Sequence, residues 1–563
     1  MIDRSISALR TLRPDHDGGI FWFRDDLHQP SPISPMGMTT VQKHHSWGYH
    51  VAAEQTSLPP SKGALVKLHK GRVYLGFTLI DDKAEVAERA KKFKQLLEYC
   101  TENWDSFYSG YIEEVSSLLA TLHAVDADRL TNRHLYEHLL RAEEINRRNW
   151  EIHFILMYPA DALYLEFEAF CKSHGLDENG MVALLVGFDG MPARTDEELW
   201  ELAKAAKAAK LDRILLSATP ASARSLLSEI PEGRDWLARF DAFLVTYGNR
   251  INAAHLDVIF HTWREDPTPV FETIRSYFRR IDDGWDFTAQ RNHVFARREE
   301  AVAAFGASLS GEDHKTFLRM LPVAQKIYAY QEDHGFYIDQ GSTAALHDVL
   351  AACGRRLARF GLLADADDVY FLTYAELSEV LGDLARDQKI GIYHHGALLP
   401  SLIAERKVQW ESVSSLDAPL TVGNVPQTMT DPIAIKVFGI IDEVLHPKGE
   451  KVIASRLEGF AAAPGVVKGP ARVVMSFEDF ATVQSGDILV CPYTGTAWTP
   501  LFLKIAGVVT DTGGMLTHAA IAAREYAIPA VVGTWNATTS IKNGDLIRID
   551  GAAGTVEVER RAN

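Results

Sequence analysis

The stretch Thr510–Thr534 reads TDTGGMLTHAAIAAREYAIPAVVGT and holds the residue types and spacing best suited to chemistry. Its pattern predicts a strand, a Gly-Gly turn, a helix over Thr517–Tyr526 and a second strand after Pro529. His518 then falls in the helix's first turn, where unpaired N–H groups and about half a positive charge disfavour imidazolium and favour an anion. A neutral imidazole placed there is a nucleophile suited to accept a phosphoryl group. Gly513 and Gly514 permit a tight turn, and the hydroxyls of Thr512 and Thr517 are expected to hydrogen-bond the phosphoryl oxygens. Arg524 and Glu525, further along the helix, are expected to orient or dock rather than to react.

The elements that must carry this motif change character along the chain. From about Ala454, short β-rich runs such as ARVVMS, GDILVCPY, AGVVT, IPAVVGT and DLIRIDG alternate with Gly and Pro. They predict a small α/β domain over 456–563. Before it, apolar residues three to four apart predict helices over Asp82–Val125, Leu135–Leu156, Glu197–Lys210, Ala221–Leu227, Trp236–Gly248, Thr288–Gly306, His314–Tyr330 and Thr343–Leu363. The first eighty residues differ: Pro30, Pro32, Pro35, Pro59 and Pro60 are expected to break any long helix, and Leu65–Ile80 reads as short strands about a turn at Lys70-Gly71. The expected organisation is a mainly helical domain over 1–441, a hinge over 442–455 and the α/β domain.

With 563 residues, 47% of them hydrophobic, the chain is long enough for several cores. Against 75 Asp+Glu it has 58 Lys+Arg, so its net charge of −17 argues against nucleic acid as a partner. Cys100, Cys171, Cys353 and Cys491 are far apart with no CxxC pair, as in a reduced compartment. The N-terminus lacks a secretory apolar core, and no run reaches the ~18 apolar residues of a membrane span. A soluble cytoplasmic protein is expected, with no membrane partner.

The pattern TDTGG-x₃-H-AAIAARE-x₃-PAVVGT resembles the phosphohistidine, or swivelling, domain of the phosphoenolpyruvate-utilising enzyme family, with His518 matching the histidine that family phosphorylates. The likeness continues upstream through GFAAAPGVVKGPARVV (Gly459–Val474) and GDILVCPYTGTAWTPLF (Gly486–Phe502); Thr517 stands where many relatives carry serine. The remainder resembles the helical acceptor-substrate domain of rifampin phosphotransferase and phenylphosphate-synthase-type enzymes. FWFRDDLHQPSPISP, LLVGFDGMPARTDEELWELA, HLDVIFHTWREDP and GRRLARFGLLADADDVYFLTYAEL carry that likeness. Where relatives often show Arg-Glu-Asn, this chain has Gln331-Glu332-Asp333-His334, a departure that counts against a substrate role for Glu332 and His334. Glu332 stays a candidate in the substrate domain beside Arg24 and Asp25.

The resemblance implies a multidomain fold: a large, mainly α-helical substrate domain followed by a swivelling β/β/α phosphohistidine domain. Neither a GxxxxGK[ST] loop nor an ATP-grasp pattern is found, and the chain stops too soon after His518 for the barrel that processes phosphoenolpyruvate. The resemblance therefore implies that ATP and Mg2+ bind a separate ATP-grasp subunit. Phosphoryl would pass through phospho-His518 to the hydroxyl of a small phenolic or aromatic substrate, giving an aryl phosphate, AMP and phosphate. Two alternatives stand beside it: a rifampin-type antibiotic phosphotransferase component, and a non-catalytic phosphocarrier or regulatory subunit.

Other signals read as structural. His134-Leu-Tyr-Glu-His138 spells HxxEH without a third ligand nearby and is expected on a solvated helix face. The pairs His44-His45 and His394-His395 point to different sides of any element and are expected as surface or loop features. No metal site is expected. Arg24, with Asp25 and Asp26, belongs to an aromatic-rich run and either steadies the phosphoryl group or forms an interdomain or capping ion pair.

Overall fold

The computed structural model describes residues 11–13, 17–187, 189–251, 256–413, 416, 418–446, 455–475, 477–495 and 498–562. Two long helices, Lys83–His123 and Asn132–Ser173, form the spine of the N-terminal body. Each starts on a side-chain cap: Asp82 accepts from the Ala84 N–H and Thr131 from the His134 N–H. The second carries one apolar stripe from Leu135 through Trp150 and Phe154 to Phe167, against which helices Val41–Thr56, Gly311–His334 and Gly341–Arg359 pack.

The helix Val41–Thr56 corrects the expectation for the first eighty residues. The prolines bracket it rather than break it: Pro35 opens the short helix before it, and Pro59 and Pro60 follow its left-handed cap Ser57. Its burial also overturns the surface reading of His44-His45. His44 is fully buried between Asn146 Oδ1 (2.8 Å) and Glu143 Oε1 (2.9 Å), and His45 is buried against Trp150. Of the other pair, His395 is buried with Nε2 3.1 Å from Asp383 Oδ2, while His394 is exposed. His134 is exposed and His138 half-buried, on the helix surface as expected.

A four-stranded antiparallel sheet closes one end of the body, in the order β2 (Ser61–His69), β3 (Arg72–Leu79), β1 (Phe21–Arg24), β4 (Thr421–Gly423). The hairpin turns at Lys70-Gly71, both at positive φ, as expected from sequence. The body has two cores rather than one. Helices Met191–Ala208, Asp212–Ser217, Pro220–Ser228, Pro231–Tyr247 and Thr268–Asp282 gather around their own cluster, including Trp200, Trp236, Phe271 and Tyr277.

The C-terminal unit is an eight-stranded sheet in the order β5-β12-β11-β7-β8-β9-β10-β6. These are β5 (Arg456–Glu458), β6 (Phe460–Ala463), β7 (Val466–Val473), β8 (Ile488–Cys491), β9 (Gly507–Thr510), β10 (Ala530–Val532), β11 (Leu546–Asp550) and β12 (Thr555–Arg560). The stretch β7-β8-β9-β10 is parallel, and β8, β9 and β10 are fully buried and nearly all apolar, as parallel strands covered on both faces must be. One face carries helix His518–Glu525, the other the cluster of Val490, Ile541 and Ile547.

Of the expected hinge, Asp442–Leu445 is a short helix with Val444 and Leu445 in the body's core; residues 447–454 lie outside those described. Leu516 and Ile521 of the C-terminal unit enter the main body core and Leu503 enters the second, so the unit is docked on both. All four cysteines are buried and unpaired. Among the described residues, no helix is long and apolar enough to cross a membrane.

Candidate active site

Parallel strand β9 delivers the chain to the turn at Gly513-Gly514, and helix His518–Glu525 begins at once. Gly513 has φ 96°, a left-handed conformation, and a Cβ there would meet Thr517 Cγ2 at 2.7 Å. At Gly514 a Cβ would stand 2.3 Å from the Lys436 carbonyl oxygen. The two glycines thus serve close approach of the body segment before the linker, whose carbonyls accept from the Gly514 N–H (Val437 O, 3.2 Å) and the Leu516 N–H (Lys436 O, 3.0 Å).

The two threonines expected to hold phosphoryl oxygens are otherwise engaged. Thr512 Oγ1 donates to Pro492 O at 3.0 Å and Thr517 Oγ1 donates to Gly514 O at 2.8 Å. A hydroxyl has one proton, so in this arrangement neither has one left for phosphate. The hydroxyl on His518 is instead that of Thr494, 2.9 Å from Nδ1, and the Phe502 ring meets the imidazole edge-on at 5.7 Å.

Burial, reinforced by the nearby Arg250 guanidinium, pushes the His518 pKa down to about 3. The imidazole is neutral at pH 7, as a nucleophile must be. Its Nε2 stands 3.8 Å from Glu332 Oε2. Burial first, and Asp333 next, raise Glu332 to about 8, so it is a neutral carboxylic acid near pH 7 and the contact is not an ion pair. The structure therefore brings Glu332 to His518 despite the sequence departure at that position.

Arg24 and Asp25 are not brought to His518. Arg24 Nε donates to Asp26 Oδ1 at 2.6 Å in an ion pair, and its Nη1 donates to the Ala418 carbonyl. Asp25 is buried and binds His28 Nδ1 at 3.0 Å, fixing a histidine that does face the cavity below. Arg524 is buried with Nε on Ala462 O (2.7 Å) and Nη1 on Met515 O (2.8 Å), so it orients the turn. Glu525 docks: its carboxylate oxygens accept the Gly187 N–H of the body at 2.9 and 3.1 Å, and Tyr526 donates to Asp196.

Two residues escaped the sequence reading. Arg250 is buried, bonded to Thr195 Oγ1 at 2.9 Å and set over Trp263 and Phe336, and its field reaches both His518 and Glu332. A lone arginine in GNRIN gave no signal. Thr494 lay inside a stretch quoted for its likeness, yet nothing in PYTGTAW shows that it folds back onto His518.

His518 and Glu332 lie on the walls of two hollows. The smaller, of about 90 Å³, runs under helix His518–Glu525 past Trp285, Phe295 and Tyr328. The larger, of about 400 Å³, reaches into the body between Tyr49, Phe77, Phe93, Phe154 and Phe438. Deep in it, His153, His334 and Asp339 bring ligand atoms within 4.8 Å of one another. His334, doubted on sequence, thus faces the same space as His518.

Comparison with known proteins agrees with this architecture. Residues 483–554 match the family model of the PEP-utilising enzyme mobile domain, and residues 153–332 that of the rifampicin phosphotransferase fourth domain. The C-terminal unit is a PEP-utilising enzyme mobile domain. The chain is 26% identical over 555 residues to the uncharacterized phosphotransferase YvkC of Bacillus subtilis, covering 97% of this chain and 63% of that protein. It is 30% identical over 328 residues to a rifampicin phosphotransferase of Bacillus cereus, 56% of this chain and 34% of that protein. A third relative, chondramide synthase cmdD of Chondromyces crocatus, is 31% identical over 449 residues, 78% of this chain and 11% of that protein. The chain thus spans less than two thirds of each of these relatives. The mobile domain here is docked with its histidine turned into the body.

Proposed function

We propose that this chain is the acceptor-binding and phosphoryl-carrying part of an ATP-dependent phosphotransferase, and that its acceptor is a bulky, largely apolar molecule with a hydroxyl group. The observation that carries the reading is the position of His518 on the wall of a cavity of about 400 Å³ lined by aromatic rings. That space exceeds what a simple phenol fills, so it favours an acceptor larger than the small aromatic expected from sequence. The matches to rifampicin phosphotransferase support the same choice.

In the transfer, the acceptor oxygen forms an O–P bond as the bond between phosphorus and His518 Nε2 breaks. The acceptor's proton ends on the released imidazole, so charge and atoms balance. Thr494 holds Nδ1 and so presents Nε2 to the cavity. Glu332, protonated near pH 7, and Arg250 supply a hydrogen-bond donor and a fixed positive charge beside the moving phosphoryl group. Exclusion of water protects the labile phosphoramidate.

His518 faces the body when docked, its side chain 9% exposed, and its phosphorylation is proposed to occur when the mobile domain leaves this position. ATP and Mg2+ are proposed to act on an ATP-grasp partner that charges His518, after which the domain swings back. The test is transfer from the charged protein to rifampicin and to phenol. Phosphorylated rifampicin with little phenyl phosphate supports the reading; the reverse preference returns it to a phenol-specific enzyme, and a phosphohistidine that no hydroxyl discharges makes the chain a carrier.

A further inference from the structure

The helix Gly311–His334 runs directly into a single π-helical segment, Gly335–Gln340, before helix Gly341–Arg359. In an α-helix, residues five apart point about 140° away from each other. The wider π turn closes between residues five apart, so it returns the chain to the same face. Here it sets Asp339 beside His334: His334 Nε2 is 3.8 Å from Asp339 Oδ2. The long helix Asn132–Ser173 supplies His153 from across the cavity, with Nε2 3.1 Å from Asp339 Oδ1.

Ordinary hydrogen bonding does not satisfy this cluster. His334 Nδ1 is 3.0 Å from the Tyr330 carbonyl oxygen, an acceptor, so the ring's proton sits on Nδ1 and the Nε2 lone pair faces a carboxylate. Asp339 Oδ1 faces His153 Nε2 at 3.1 Å, and His153 Nδ1 is buried with no hydrogen-bond partner among the described residues. Electron-rich atoms converge without a proton between His334 and Asp339.

We propose that His153, His334 and Asp339 bind one divalent transition-metal cation, Zn2+ or a similar ion, on the wall of the large cavity, and that its open position takes an oxygen of the acceptor. Ligands about 2.0–2.1 Å from a tetrahedral zinc stand about 3.3 Å from one another. His153 Nε2 stands 3.1 Å from Asp339 Oδ1, near that value, and one ligand atom from each of the three residues lies within 4.8 Å of the others. Two imidazoles and one carboxylate select zinc, iron or cobalt over magnesium. The contact from His334 Nδ1 to the Tyr330 carbonyl is the outer partner that metal-bound histidines usually keep. Three protein ligands leave a position open, as in catalytic rather than structural sites. All three residues line the cavity that also holds His518. Cation binding is independent of the proposed function; the acceptor as its further ligand rests on that reading.

The experiment uses the full chain, stripped by a chelator and titrated with Co2+ by visible absorption and with Zn2+ by calorimetry. His334→Ala, Asp339→Asn and His153→Gln are titrated in parallel, each first checked by circular dichroism for native helix content. One equivalent of Zn2+, a cobalt spectrum of low coordination number, and affinity weakened by more than about 100-fold in folded variants are expected. Should a variant fail to fold, X-ray absorption on the cobalt-loaded native chain counts the imidazoles, and two are expected. Absence of binding, or binding that the variants leave unchanged, overturns the proposal. Rifampicin added to the cobalt protein separates the two claims. A changed spectrum supports acceptor ligation; a bound cobalt whose spectrum rifampicin and phenol leave unmoved retains the cation site and contradicts the acceptor reading.

Discussion

The hollow beneath helix His518–Glu525 shares its walls between the mobile domain and the body, with Ile521, Ala522, Glu525 and Tyr526 facing Trp285, Phe287, Phe295 and Tyr328. The larger cavity takes nearly all its wall from the body, and the mobile domain contributes only the rim at Thr494, Gly495, Leu516, Thr517 and His518. The first exists because the domain is docked and is lost when the domain leaves. The second persists and is merely opened. Under the proposed function this division separates two tasks: the smaller hollow senses whether the mobile domain is seated, and the larger selects the acceptor.

Blocking the larger cavity is the strongest test of that division. Ala162 lines it, and Ala162→Phe is expected to lower transfer to a bulky acceptor by about 100-fold while leaving phosphorylation of His518 by its donor unchanged. Single-turnover assays with isolated phosphoprotein measure both. Equal losses in the two steps would mean that the cavities are not functionally separate.

Glu332 touches both hollows and should show the next largest effect. Glu332→Ala removes the donor beside His518 Nε2 and is expected to slow transfer about 100-fold, with Glu332→Gln, which keeps an N–H donor, nearer about tenfold. The carboxyl loses its proton near pH 8, so native transfer should fall as pH rises through that value. The glutamine variant should lack that fall. Rate against pH for both proteins decides the point.

At the smaller hollow the expected change is in docking. Burial raises Glu525 to about 7 and Glu332 to about 8, while undocking returns both toward the ordinary carboxylate range. Between those ordinary values and the raised ones the docked form binds more protons, so the carboxyls' support for docking is lost from the ordinary carboxylate range up to about pH 8 and is constant above it. His518, lowered to about 3, works oppositely, and its protonation favours release in acid. Arg291, Arg298 and Arg524 stand near Glu525 and oppose its rise. Distance measurements between labels on the body and the mobile domain, taken from pH 5 to 9, should show docking weaken up to about pH 8 and then level off, the range being set about these pKa values. The smallest effect is expected from Thr494→Val, which removes the Nδ1 contact and costs about 1 kcal/mol, or about fivefold in transfer rate.

How much of this could be read beforehand follows from how local each feature is. The mobile domain was legible because its signals are local: a strand, two glycines, a helix start and alternating apolar runs, all within a short stretch. Helices such as Lys83–His123 were legible through their apolar period, but the reading stopped at Leu156 where the helix continues through Pro159 to Ser173. Burial by long-range packing left no local trace, so His44 and His45 read as surface residues although they pack against the helix carrying Asn146 and Trp150. The threonines around His518 were assigned to phosphate because their hydroxyls lie close in sequence; their actual acceptors, Pro492 O and Gly514 O, are backbone groups that sequence does not show. Arg250, Glu332 and Thr494 meet His518 from three separate segments, a convergence that only the fold provides.

The most direct test of the central claim is mass spectrometry of the chain mixed with ATP, Mg2+ and an ATP-grasp partner, comparing native protein with His518→Ala, before and after addition of rifampicin. The account predicts one phosphate on the native chain alone, placed on His518 and discharged into the added hydroxyl compound. Phosphate on both proteins, or on neither, would contradict it.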